Sequence, residues 1–403
     1  MLLIIELAVL LLLMCNLVKL LVSGCIIRKR KHTDANIKDN KRFLMIIPVY
    51  KEQERIESCI DSIEALDWPK DKLNVCICTT AKEPIDGNDT HTLCEKLISE
   101  RQLKFTYSVI LYPRSDGNMA EQVNYAFNKF HDEYDIVCVY NADSVLDTRV
   151  LIQANAAFAD EKVNCVQQRA IYNNFNNTNV FSVGYCVYQS VYEIKTNFLK
   201  DMRNVGENVV GRAVFLRKDK INGYIYPTSF YCEDMALSFE LVSRNEIITS
   251  IPSFEVNEPP LNLKDIINQQ YVWFHTASKI GQMLNYAKSV NNTKKLNWRT
   301  RLKIFHRISE NIVWLFTSLT VLTLSVLDYR FLICLYAYGF LLVLTADITL
   351  RLRKFRTALF DAFCWIAYLL ILSIGPIKYL LKKVAIKFGM KLKDEKYKTP
   401  RGK

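Results

Sequence analysis

The sequence predicts an α/β fold built on a mostly parallel, nucleotide-binding sheet, carried by a chain that also enters a membrane. Three observations lead there. Between residues 42 and 144, short apolar runs of strand length alternate with segments of helical periodicity. Those runs are apolar almost throughout, as strands buried on both faces require. Apolar stretches near membrane-crossing length occupy residues 1–27, 311–327, 331–350 and 357–377.

Residues 1–27 are interrupted only by a few polar positions such as Asn16 and Lys19, and "RKRKH" follows at once. The run can cross about 30 Å of hydrocarbon. A cleaved signal peptide would carry its positive charges before the run and a small-residue cleavage site after it, so an uncleaved transmembrane helix is expected. A basic linker, residues 28–41, leads into the folded block.

There "RFLMIIPVY" (42–50) reads as a buried strand, and "KEQERIESCIDSIEAL" (51–66) as a helix with Ile56, Cys59, Ile60 and Ile63 at helical spacing. "LNVCICTT" (73–80) is the second strand, "HTLCEKLISER" (91–101) a helix and "KFTYSVILY" (104–112) the third strand. "NMAEQVNYAFNKF" (118–130) is helical and "YDIVCVYNADS" (134–144) the next strand. Alternation of this kind implies parallel pairing with helices on both faces.

The last quarter sets the topology. Positive residues cluster at 28–31, at Arg299, Arg301, Lys303 and Arg307, in "RLRKFR" (351–356), and along the tail from Lys378. The positive-inside rule assigns all four clusters, and the polar block of about residues 28–308, to the cytoplasm. Three full crossings would carry the tail outside. Segment 357–377, with Asp361 and "GPIK", is therefore expected to be re-entrant or interfacial. The domain plan is a helix at 1–27, a linker at 28–41, a catalytic block at 42–275, an interfacial region at 276–308, membrane segments at 309–377 and a basic cytoplasmic tail at 378–403.

Composition excludes several classes. No G-x-G-x-x-G follows the first strand and no G-x-x-x-x-G-K-[ST] occurs, so dinucleotide oxidoreductases and P-loop ATPases lack their phosphate cradle. The net charge of +12 flanks apolar segments, which suits an anionic membrane surface and not nucleic acid. Twelve scattered cysteines without a C-x-x-C pair read as reduced thiols, with Cys76 and Cys78 on one strand face. The "NNT" triplets at 176–178 and 291–293 fall in the cytoplasmic block, where glycosylation is not expected.

One acid stands out. Asp143 follows the apolar Cys138, Val139 and Tyr140 directly, at the carboxyl edge of a strand, where open α/β sheets bind ligands. Asn141 occupies the place where a second metal-clamping acid would stand.

In order, "IIPVYKEQERIESCIDSI", "SDGNMAEQVNYAF", "YNADSVLDTRVL", "VQQRAIY", "FYCEDMALSFEL" and "QQYVWFH" resemble the family 2 inverting glycosyltransferases of the GT-A fold. The likeness is to the membrane-integrated branch of cellulose, hyaluronan and capsule synthases and ceramide glucosyltransferase, and it covers about residues 42–275. The resemblance implies nucleotide-sugar binding by Pro48, Tyr50, Glu52, Thr80, Glu83, Asn124, Asn141 and Arg169, with Thr79 beside them. It implies Asp143 as ligand of Mg²⁺ or Mn²⁺, Glu233 with Asp234 as the acidic pair whose Asp is the general base, and Gln269, Gln270 and Trp273 as the lining of the acceptor and donor cleft. Met119 stands where many relatives carry Lys and Val272 where they carry Arg, leaving Arg169 or Arg212 to offset diphosphate charge.

The chemistry agrees with these roles. A departing diphosphate needs a cation, and the acceptor hydroxyl needs a base within hydrogen-bond reach. Asp234 precedes a helical segment, whose N-terminus is expected to keep it ionised. The implied activity is inverting sugar transfer from a nucleotide diphosphate, UDP before others, to a growing surface polysaccharide or a lipid-linked sugar. The implied setting is the plasma membrane, with lipids as partners and a homo-oligomer completing any translocation channel. Two alternatives remain: a glycolipid synthase adding one sugar, and a scaffold without catalysis.

Overall fold

The computed structural model describes residues 2–31, 40–130, 133–172, 179–198, 209–230, 232–292, 295–350 and 357–390. The "NNT" at 176–178, Thr293 of the second triplet, the basic stretch 351–356, residues 32–39 of the linker and the tail from 391 lie outside them.

The sheet has seven strands: β1 (Phe43–Pro48), β2 (Leu73–Thr80), β3 (Thr106–Tyr112), β4 (Ile136–Val139), β5 (Val163–Tyr172), β6 (Val214–Arg217) and β7 (Ile247–Asn257). Their order is β3-β2-β1-β4-β6-β5-β7, with β6 antiparallel to both neighbours and every other pair parallel. The first three strands wind outward from β1, and the chain then crosses back to place β4 on the other side of β1. That reversal opens a crevice at the carboxyl ends of β1 and β4, with Ile46 opposite Val139 in register.

The helices between strands are α2 (Ile56–Glu64), α3 (Thr90–Glu100), α4 (Met119–Phe130), α5 (Val150–Ala157), α6 (Val180–Tyr192) and α7 (Glu233–Ser243). The expected alternation holds, with several element ends displaced. The helix of 51–66 starts only at Ile56, because Lys51 takes a positive φ of 55°. The strand of 134–144 ends at Val139, and Tyr140 onward leaves the sheet.

Alternate side chains fill two cores. Phe43, Met45, Ile47, Val75, Ile77 and Cys138 meet α2 and α5 on one face. Leu44, Ile46, Cys76, Cys78, Val137 and Val139 meet α4 and α7 on the other. Cys76 and Cys78 are free and buried, and burial pushes the Cys76 thiol up to about 12.

After β7 come α8 (Leu263–Ala277), α9 (Ile280–Val290), α10 (Trp298–Leu327), α11 (Tyr329–Leu350), α12 (Ala358–Ile371) and α13 (Ile374–Lys387). With α1 (Leu2–Lys31), they include four helical stretches long and apolar enough to cross a membrane: 7–29, 298–327, 329–348 and 358–387. The last is broken between Ile371 and Ile374 into α12 and α13. Its α12 half packs on α6 so closely that a Cβ on Gly184 would lie 2.1 Å from the Cys364 carbonyl oxygen. The helices of both ends share a third core with the sheet block, in which Leu20, Tyr185, Phe254, Leu335 and Tyr368 are buried together.

Candidate active site

Four segments line the carboxyl edge of the sheet. The end of β1 supplies Pro48, opposite Cys78, then Tyr50 and Glu52, both half-buried. The end of β2 supplies Thr79, whose hydroxyl donates to the Ile110 carbonyl (3.1 Å) and lies 2.7 Å from His91 Nδ1, and the buried Thr80. Glu83 accepts from Lys51 N–H (2.9 Å), the Gln53 amide (2.5 Å), Thr90 N–H (3.2 Å) and the Thr90 hydroxyl (2.8 Å). It thus ties the loop after β1 to the start of α3. Asn124 is similarly engaged: it accepts from Ile225 and Tyr226 N–H (2.9 and 3.0 Å) and donates to the Tyr226 carbonyl (2.7 Å).

The third segment, after β4, is pinned at both ends. Tyr140 N–H donates to the Ile46 carbonyl (3.0 Å), and Val145 forms a bridge with Val256 of β7. Between them, Asn141 accepts from Ser144 N–H through its carbonyl (3.1 Å), and Asp143 is half-buried. The Ser144 hydroxyl donates to Glu255, a fully buried acid of β7. Glu255 also lies 3.2 Å from Arg212 Nε, and Arg212 donates to the Tyr172 hydroxyl (2.8 Å) while stacking over its ring at 5.6 Å.

Two carboxylates thus act on one guanidinium, Glu255 by direct contact and Asp143 through its charge. Burial opposes the charge of Arg212, but Tyr172, Glu255 and Asp143 outweigh it and hold the group above its ordinary value. Burial raises Glu255, with Asp143 adding to the rise and Arg212, Ser144 and Asn257 opposing it.

The fourth segment is the first turn of α7. Cys232 is the N-cap and makes no side-chain cap, so Glu233 and Asp234 lie inside the helix. Asp234 accepts from Met235 N–H (2.7 Å) and Gly211 N–H (3.1 Å). A Cβ on Gly211 would stand 3.6 Å from Asp234 Oδ2 and 3.7 Å from Met119 Cε, so Met119 brings an apolar end close to the acid. The sequence expects the helix N-terminus to keep this carboxyl ionised, and the N–H groups of Met235 and Gly211 do favour its charged form. Burial raises Asp234, and the two N–H groups and Arg307 offset it only in part. The Gly211–Arg212 dipeptide therefore touches Asp234 through the Gly211 N–H and Glu255 through the Arg212 guanidinium.

Of the two arginines expected to offset diphosphate charge, Arg212 feels the charge of Asp143 and contacts Glu255. Arg169 is fully enclosed, donating to Ser250 (3.1 Å) and lying 3.7 Å from Glu193. On α8, Gln270 donates to the Tyr368 hydroxyl of α12 (2.7 Å), and Trp273 packs 6.4 Å from the Tyr185 ring. Tyr185 contacts Tyr172 at 5.2 Å, so an aromatic path runs from Trp273 to Arg212. Gln269 and Val272 are half-buried on the same helix.

Sequence reasoning missed Glu255, Ser144 and Tyr172. An acid inside the otherwise apolar and small "SIPSFEV" was the available signal.

The set fits Mg²⁺ or Mn²⁺: a hard carboxylate from Asp143 with the Asn141 amide nearby. Among the described residues no group of three or more His, Cys, Asp or Glu could hold a metal, so diphosphate oxygens and water would complete the shell. Cys59, 3.9 Å from the Asn141 carbonyl, is raised by burial and by Asp143 and stays a thiol.

A family model described as "Glycosyltransferase like family 2" matches residues 41–273. Among solved structures, the fold is similar to the mannosyltransferase PcManGT from Pyrobaculum calidifontis in complex with GDP-Man and Mn²⁺, with a TM-score of 0.54, 17% identity, and coverage of 93% of this chain and 99% of that one. TarS 1-349 of S. aureus in complex with UDP is a more remote match, with a TM-score of 0.46, 12% identity, and coverage of 89% and 95%. No curated protein matches the chain in sequence. At these identities the structural likeness is one of fold, and the fold is GT-A-like.

Proposed function

The chain belongs to glycosyltransferase-like family 2, and on that premise we propose that it is a membrane-bound, metal-dependent, inverting transferase. It moves a sugar from a nucleotide diphosphate to a growing surface polysaccharide or a lipid-linked sugar. The observation that carries this reading is the Gly211–Arg212 dipeptide, which bonds Asp234 through the Gly211 N–H and, through Arg212, pairs with Glu255, the acid fastened to the Asp143 loop by Ser144. A base and a cation-binding acid are the two groups that direct displacement at an anomeric carbon requires.

Mg²⁺ or Mn²⁺, when bound, neutralises the departing diphosphate. Asp143 and Asn141 would hold it, and Arg212 adds fixed positive charge beside them. Asp234 takes the proton of the acceptor hydroxyl, its carboxylate aimed by the N–H groups of Gly211 and Met235. Burial raises its pKa, which makes it a stronger base than an exposed aspartate. One displacement inverts the anomeric centre and needs no nucleophilic side chain.

The apolar helices and the distribution of positive charge support a plasma-membrane setting with the catalytic block in the cytoplasm. The break at 372–373 and the packing of α12 on α6 support an interfacial course for 357–377. UDP-sugars are the first donors to test, and GDP-mannose is the second because the mannosyltransferase of similar fold was solved with GDP-Man. Membranes containing the protein, incubated with labelled nucleotide sugars and Mn²⁺ or Mg²⁺, should incorporate one of them. A ladder would mark a polymerase and one added sugar a glycolipid synthase. Incorporation of none, with the polysaccharide pathway still requiring the protein, would overturn the enzyme in favour of a scaffold.

A further inference from the structure

The first turns of α10 are docked on the catalytic block. Asn297 caps the helix by accepting from Thr300 N–H (2.7 Å), and its amide donates to the Val242 and Ser243 carbonyls (2.9 and 3.1 Å) at the end of α7. Two turns on, the fully buried Lys303 lies 4.7 Å from the centre of the Phe239 ring, and Ile304 packs with Ala236 and Phe239. As α10 advances from 297 to 304, its contacts on α7 retreat from 243 to 236, so the two helices run antiparallel. One further turn carries Arg307 to the N-terminus of α7, where Asp234 lies.

Arg307 is held there firmly. Its guanidinium is 3.1 Å from Glu310, which accepts from the Tyr192 hydroxyl of α6 (2.8 Å), and only 13% of its side chain is exposed. A topology signal needs no such enclosure, since a lysine or arginine facing the headgroups serves that purpose.

We infer that Arg307, at the start of the first C-terminal membrane helix, is a positioning residue of the transfer reaction that holds Asp234 ionised and ready to accept a proton. This rests on the reading of Asp234 as the base. The surroundings of Asp234 support it. Its own helix brings Glu233, α4 the apolar Met119, the turn before α7 the buried Tyr226, and the loop before β6 the Gly211 N–H. From α10 come Arg307 and its carboxylate partner Glu310. Burial raises Asp234, and Arg307 is the side-chain cation that opposes it. The arrangement also links catalysis to membrane insertion, because the guanidinium arrives at the site only when α10 is seated on α7.

The test uses the full-length protein in lipid nanodiscs. A diazo reagent esterifies carboxyl groups in their protonated form, and mass spectrometry of the Asp234 peptide across pH reports its midpoint, with the exposed Asp116 as internal reference. In Arg307→Gln the midpoint should rise, and in Arg307→Lys it should stay near that of the wild type. In Glu310→Gln, which removes the competing carboxylate, it should fall; this variant serves if the glutamine variant does not fold. The acid limb of kcat/KM for the donor that the membranes incorporate should move in parallel, without a change in donor affinity. Unmoved midpoints would overturn the inference. Moved midpoints in a wild type that transfers no sugar would instead overturn the base reading and leave the charge relation standing.

Discussion

The Ser144 hydroxyl donates to the carboxylate of Glu255, 111 positions later in the chain. This bond, with the Val145–Val256 bridge, fastens the loop of Asp143 to β7. Glu255 in turn holds Arg212, so one buried acid orients both the candidate metal ligand and the cation beside it.

Removing Glu255 should therefore do two things at once. Glu255→Ala leaves Arg212 without its main carboxylate partner in the interior, at a cost of about 3–5 kcal/mol, whereas Glu255→Gln keeps the Ser144 bond and should cost less. Thermal unfolding of the purified protein would measure the first effect. Mn²⁺ binding in the presence of UDP, followed by electron paramagnetic resonance, would measure the accompanying disorder of the Asp143 loop. Unaltered melting and Mn²⁺ binding in the alanine variant would remove Glu255 from this role.

Asp143→Ala should abolish transfer and weaken metal-dependent nucleotide binding together, while Asn141→Ala should cost less, since a neutral amide contributes less to holding a hard cation. Full activity in EDTA would contradict a metal-dependent enzyme.

Asp234→Asn should lower turnover by about 10² to 10⁴ with near-normal nucleotide affinity, as expected for an interaction made in the transition state. The sign of the pH dependence follows from its raised pKa. Activity should rise as pH passes upward through the folded-state value, because the base works only when ionised. Stability should move the other way: the folded state binds the proton more tightly than the unfolded chain, so raising pH from the ordinary carboxylate range through the raised value costs folding free energy. The asparagine variant should escape this loss and melt higher at neutral pH. Unchanged sugar transfer in that variant would assign the base to another group.

A reporter at Lys403 should be cytoplasmic and one at Asp328, between α10 and α11, external. Both ends external would show that 357–377 crosses fully. Gly184→Leu should loosen α12 from α6, because its Cβ would meet the Cys364 carbonyl at 2.1 Å; limited proteolysis between these helices would report it.

Much of this protein was legible along the chain because it depends on local periodicity. Apolar runs bounded by polar turns marked β1 to β4, and each follows from residues close in sequence. Asp143 and Asp234 were recognisable for the same reason: one ends an apolar strand and the other opens a helical run. The ends were legible by length and charge, since a bilayer demands both. Tertiary structure alone decided how side chains were used. Glu83 and Asn124 occupy motif positions, yet Glu83 accepts bonds from the 51–53 loop and Thr90, and Asn124 is engaged by the backbone of Ile225 and Tyr226. Arg169 and Arg212 look alike in sequence, but β5 encloses the first beside Glu193 while the loop before β6 delivers the second to Glu255 and Tyr172. Arg307 read as a topology charge and became a neighbour of the base only through the antiparallel seating of α10 on α7. Buried charge must find its partner wherever folding brings one, and that distance in sequence leaves no local pattern to read.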